Sequence, residues 1–191
     1  MNHLILLEAL KAHNIEPKEV KIGDISNETA AQWMEQKKLD AAVIWQPLLR
    51  ETRQRTQGNI IYTTKDLDSI IVDVFLTRAN NIQPRKAEFI QFLCAWLDVM
   101  DAVDKNPQEV YNQVGKKLQQ SPIDFANDYS GLKKGDLAMQ KRMFKKESRL
   151  YEILGEMGKL LESDPRSGRL LRKDIKINKE LINTAIEDWQ S

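Results

Sequence analysis

Cysteine is almost missing from this sequence. Of 191 residues only Cys94 carries a thiol, so no disulfide can form within the chain and composition leaves the redox compartment open. Cys94 lies in an apolar run of helical spacing, without a histidine or second cysteine near it, and is expected to be a buried structural thiol. Histidine is equally scarce: His3 and His13 are too far apart in sequence to read as a metal-ligand pair. Glycine numbers only 8 and forms no phosphate-cradling loop, and no serine sits in a nucleophile-elbow motif. Long apolar runs are lacking as well; none approaches the roughly 20 residues that span a bilayer. Neither sign of charge dominates, with 29 basic against 28 acidic residues and a formal net charge of +1. That balance gives no reason to expect nucleic acid or an anionic membrane as a partner. Without a cofactor motif or a reactive constellation, the chain is not expected to be an enzyme or to carry a cofactor or metal.

What is present is ordinary material for a globular fold, 41% hydrophobic and 30% charged. Leu4, Leu7, Leu10 and Ala12 recur at near-helical spacing after Asn2, a candidate N-cap. Val20-Lys21-Ile22 alternates as a short strand, and Ser26 with Glu28-Thr29 opens a second helix through Trp33 and Met34. Ala41 to Ile44 reads as a strand covered on both faces. Pro47 suits the first turn of a third helix running to about Arg55, and Ile60-Ile61-Tyr62 reads as another strand. Helix and strand alternating in this way predict an α/β fold with parallel strands and crossover helices. Ile70 to Leu76 is the most β-rich window of the chain.

Beyond it the pattern turns helical. Phe89, Phe92, Leu93, Trp96, Leu97 and Met100 recur at three and four within a long helix from Arg85 to Asp104. Asn106-Pro107 and Ser121-Pro122 begin two more helices, with Pro at the first helical position. Asp136–Phe144, Leu150–Leu161 and Leu181–Trp189 are further amphipathic stretches, the last two flanking a polar, Arg-rich segment. Most carboxylates stand beside Lys or Arg at helical spacing and read as solvated faces.

Three features carry a functional reading beside a structural one. Trp45-Gln46-Pro47 follows the apolar stretch 41–44, and ligands collect at the carboxyl ends of strands in open α/β sheets. An aromatic there supplies a flat wall for a small molecule, or else Trp45 packs between helices. Asp73 is a lone carboxylate within the apolar window 70–76. A buried, unpaired carboxylate costs several kcal/mol, so it must reach a ligand, solvent at a cleft, or a structural donor such as a helix N-terminus. Asn2-His3 opens the first helix, whose free amides favour an anion, unless the chain end frays.

Taken in order, these pieces resemble the solute-binding proteins of ABC transporters for taurine, nitrate and sulfonates. The segment Asp40-Ala41-Ala42-Val43-Ile44-Trp45-Gln46-Pro47 is similar to that family's Asp-Ala-Ala-Val-x-Trp-Glu-Pro motif and is the most specific part. Asn2-His3-Leu4-Ile5-Leu6-Leu7-Glu8-Ala9-Leu10 resembles its helix after a Ser-His entry. Asn14 to Lys21, Ile71-Val72-Asp73-Val74, Asn106-Pro107 with Glu109, and Asp136-Leu137 with Phe144 are similar to further segments in the same order.

The resemblance implies a type II periplasmic-binding fold, two α/β lobes closing on a ligand between them. Residues 1–68 would form the second lobe, and 69–191 a crossover strand with the helical part of the first lobe. Most of the first lobe's strands would be missing from this sequence. Trp45, Gln46, Asp73, Asn2 and His3 would then be the ligand-binding residues.

On this reading the chain is a solute-binding component, or fragment, of an ABC-type importer for a small anion such as a sulfonate or nitrate. An ABC permease would be its partner. Gln46 replaces an acid common in the family, which disfavours amine-bearing ligands, and Gln140 stands where the family often has Asn. The alternatives are a ligand-sensing or interaction domain that kept the fold without transport, or a relative of proteins that make a thiamine pyrimidine precursor. A homodimer covering the apolar faces of the incomplete lobe is a further expectation. The family is exported to the periplasm or outside the cell, although Met1 to Glu8 do not read as a signal peptide.

Overall fold

Three of the described helices begin where a short polar side chain caps them. In the computed structural model, which describes residues 2–67, 71–145, 149–162 and 176–190, the α-helices are α1 (Asn2–Ala12), α2 (Asn27–Glu35), α3 (Leu48–Thr56), α4 (Ala79–Ile82), α5 (Lys86–Lys105), α6 (Pro107–Leu118), α7 (Pro122–Tyr129), α8 (Leu137–Met143), α9 (Arg149–Glu162) and α10 (Glu180–Gln190). Short 3-10 turns lie at Pro17–Glu19 and Thr64–Asp66. The Ser26 hydroxyl accepts from the Thr29 amide at 3.1 Å to begin α2, and Ser121 accepts from the Asp124 amide at 3.0 Å to begin α7. Asp136 does the same for α8, accepting from the Met139 amide at 2.8 Å. Each such bond satisfies one of the amides a helix leaves open at its start. The helices expected from sequence periodicity are therefore present, with ends shifted by a residue or two.

The expected α/β fold is not. Among the described residues there is no β-strand: 20–26, 41–45, 57–63 and 71–78 contain only irregular or extended backbone. The type II periplasmic-binding architecture is thereby overturned, and the ABC-importer reading that rested on it loses its support. The physical reason is visible at 41–45. A strand exists only where a neighbour completes its ladder, yet here side chains take the main-chain groups. The Val43 carbonyl accepts from Asn2 Nδ2 at 3.0 Å, and the Trp45 amide donates to Asn27 Oδ1 at 3.3 Å. Ala42, Val43 and Ile44 are half-buried and Ala41 is exposed, so the segment is not covered on both faces either. From Asp73 to Arg78 the chain is exposed. Ile70 lies outside the described residues.

The chain divides into two compact units, with the break after Ile71. The first is built on residues 1–71 together with the segment that starts at Gly155. In it α2 packs on α3, with Ala30, Ala31, Asn27 and Thr52 buried. The Arg55 guanidinium on α3 donates to Glu35 of α2 at 2.9 Å, a bond that holds Arg55 above the usual arginine range. Along α1, Leu4, Leu7 and Leu10 are buried on one face.

The second unit holds Val72–Leu154 and the C-terminal helix. Its core is α5 against α10, where Leu97, Ile182 and Ile186 are buried together and Leu93, Leu137, Phe144 and Trp189 pack on them. Burying one such aliphatic side chain contributes about 1.5–3 kcal/mol. Trp189 Nε1 donates to Asp98 at 2.8 Å across the helix pair. Cys94, expected to be a buried thiol, is half-buried, and its Sγ lies 3.5 Å from the Ala185 carbonyl. Burial pushes its pKa up. Beside this core α6 and α7 meet through Tyr111, Phe125 and Tyr129, whose ring centroids are 5.7–5.9 Å apart. That approach needs Gly115, because a Cβ there would come within 3.0 Å of the Gln120 carbonyl.

Candidate functional site

Three helix N-termini surround the segment from Val43 to Pro47 in the first unit. Asn2, the first residue of α1, reaches the Val43 carbonyl. Asn27, the first residue of α2 and only 5% exposed, accepts from the Trp45 amide. Pro47 is the N-cap of α3 itself. The side-chain oxygen of Gln46 accepts from the Arg50 amide at 3.1 Å, and the Trp45 carbonyl accepts from the Leu49 amide at 3.0 Å. Gln46 thus caps the helix that follows it. The positive ends of three helix dipoles lie around one short stretch of chain, and such an arrangement favours negative charge there.

Trp45 is 51% exposed at this place, and Gln46 and Pro47 are exposed beside it. The oxygen of the exposed Gln46 side chain is engaged by the Arg50 amide, which leaves its amide group as a donor. Together with the indole N–H of Trp45 this gives two neutral hydrogen-bond donors and an apolar wall. Such a surface can bind a small, flat or anionic molecule. Among the described residues no group of three His, Cys, Asp or Glu could hold a metal ion.

Of the residues singled out by sequence, Asn2, His3, Trp45 and Gln46 lie in the first unit, where Asn2 is tied to the chain just ahead of Trp45. Asp73 belongs to the other unit and is exposed. Its carboxylate is solvated where it stands, so the burial cost that singled it out does not arise. Asn27 was missed. Its role depends on a contact with Trp45 across 18 positions of sequence, and only its place directly after the Ser26 cap hinted that its side chain had work to do. Gln140, the other departure noted in the sequence, donates to the Gly135 carbonyl at 3.1 Å within the second unit.

The protein is thus a helical chain with a small polar, aromatic-walled surface on its first unit. It belongs to the NMT1-like family, whose model matches residues 1–115. The matched region takes in α1 to α5, most of α6, and every residue named above as a candidate ligand contact. Family membership points to a solute-binding type of function. No curated protein and no solved structure matches the chain.

Proposed function

We propose that the first unit is a binding module for a small anionic solute, taken up against Trp45 and Gln46. The observation that supports it best is the pair of bonds from Asn2 to Val43 and from the Trp45 amide to Asn27. They draw the N-termini of α1 and α2 to the chain that leads into α3. Three dipoles of one sign beside the neutral donors of Trp45 and Gln46 suit nitrate, a sulfonate or a carboxylate better than an amine. Binding is the proposed role, since what the surface supplies is orienting hydrogen-bond donors, an aromatic wall and the positive ends of helix dipoles.

A thermal-shift screen of the protein against nitrate, alkyl sulfonates, carboxylates and the matching amines tests this. A ligand present at a hundredfold excess over its dissociation constant stabilises by about 2.7 kcal/mol. One anion class should raise the melting temperature, amines should not, and Trp45→Ala should weaken the response at least tenfold in titration. An amine that stabilises as well as the anions, or a response untouched by Trp45→Ala, would overturn the proposal.

A further inference from the structure

Within the apolar window that sequence marks as the strongest strand, the described residues Ile71 to Leu76 form no strand, and from Asp73 onward they are exposed. Val74 is 56% exposed, Phe75 53% and Leu76 82%. Among the described residues the main-chain groups of Val72 to Thr77 make no hydrogen bond, although they lie in extended backbone. The segment is anchored near its middle, through Phe75. Phe75 stacks on Phe92 of α5 with centroids 4.9 Å apart and meets Phe89 edge-on at 5.8 Å. Next to that stack, α5 leaves Phe92, Trp96 and Val99 between 42% and 50% exposed. An exposed apolar run with open amides and carbonyls is a template for another strand, and a contiguous apolar face of this kind marks an interaction surface.

We propose that a second copy of this chain pairs antiparallel with Val72–Thr77 through the same segment. The two-fold axis would fall at Phe75 as a non-hydrogen-bonded pair, so that Val74 and Leu76 of the two copies exchange main-chain bonds. The requirement for a strand comes from the main chain, since only an extended partner satisfies the amides and carbonyls that alternate residues turn to one edge. The choice of a second copy comes from the pattern of the segment itself. With the axis at Phe75, Val74 faces Leu76 of the other copy, and Asp73 faces a threonine hydroxyl, a donor to its carboxylate. Arg78 faces a valine, so no like charges oppose each other. A parallel, in-register pair would set the two Asp73 carboxylates side by side, which is destabilising. The two-fold axis also keeps the α5 helices of both copies on the same face of the ribbon. The Phe75–Phe92 stacks of the two copies then adjoin, and the pairing covers part of the exposed face of α5.

Sedimentation velocity of the full chain over a hundredfold range of concentration tests this, with Val74→Pro as the variant. Proline removes one main-chain donor but suits extended backbone, and the Val74 amide makes no bond among the described residues, so the helices should be unaffected and circular dichroism checks that they are. The expected result is a reversible dimer whose dissociation constant rises at least tenfold in Val74→Pro. Leu76→Glu, which sets a carboxylate in the apolar pairing, should weaken it similarly. A monomer at every concentration overturns the proposal, as does a dimer that both variants leave intact, since another surface or another polypeptide would then be the occupant.

Discussion

The two units are held together by different physics. The first relies on side chains bonded to main chain, Asn2 to Val43, Asn27 to Trp45, Gln46 to Arg50 and Ser26 to Thr29. To these it adds a thin apolar layer from Leu4, Leu7, Leu10, Ala30 and Ala31. The second rests on aliphatic burial around Leu97, with Met100, Val103, Leu181, Ile182, Ala185 and Ile186 also buried. A region held by individual polar bonds opens locally at lower cost than one held by a shared core. Binding surfaces are drawn from such regions, because ordering on contact with a ligand needs some freedom to lose. The candidate solute surface falls on the unit where that freedom is expected.

The sharpest way to break this comparison is Leu97→Ala. Leu97 is 1% exposed at the centre of the α5–α10 contact, and truncating a fully buried leucine costs about 2–5 kcal/mol. Hydrogen exchange followed by mass spectrometry should show α5 and α10 losing protection by two or more orders of magnitude while α2 and α3 keep theirs. Equal loss along the whole chain would show that the two units unfold as one, and the contrast between them would collapse.

Asn27→Ala probes the other side and should act more weakly. It removes the acceptor for the Trp45 amide at a buried position, at a cost of about 1–3 kcal/mol. Protection should fall in α2 and across residues 41–47, with α5 and α10 unchanged, and the anion response should weaken with it. Asn27→Asp keeps an acceptor oxygen and should restore most of the protection. If Asn27→Ala is silent in exchange, the bond does not hold the segment, and the site loses its frame.

The same contrast explains which parts of the fold were legible in the sequence. The helices were, because each depends on information within a few residues: Ser26 before Asn27, Pro107 and Pro122 at the first helical position, and apolar spacing of three and four from Phe89 to Met100. The strands were not, because Ala41–Ile44 and Ile71–Leu76 have the composition of strands but lack the neighbour that would make them so. Strand propensity describes fit to a pleated, half-buried surface, and no such surface forms among the described residues. At 41–45 the long-range bonds from Asn2 and Asn27 replaced a ladder, and nothing in local sequence foretells a contact across 41 positions. Trp45 and Gln46 were singled out as the carboxyl end of a covered strand, and the described residues form no strand there. Asp73 was chosen for a burial it does not have.

The smallest effect belongs to a matched pair of substitutions, one in each unit. Gln57 ends α3 with φ 55° and Gln119 ends α6 with φ 57°, both left-handed positions that favour glycine. Relief of the Cβ contact at such a position contributes about 1–2 kcal/mol, and the added freedom of glycine in the unfolded chain takes back about 0.5–1 kcal/mol. Gln119→Gly should therefore stabilise the second unit by up to about 1.5 kcal/mol, read as slower exchange in α6 and α7. Gln57→Gly should gain less, because the Gln57 side chain also donates to the Gln54 carbonyl at 2.8 Å and that bond is lost. Helix ends in both units obey the same backbone rule, so the difference between the two variants isolates what one exposed side-chain bond contributes. A larger gain at Gln57 than at Gln119 would mean that this bond contributes nothing, and would weaken the view that polar side-chain contacts hold the first unit.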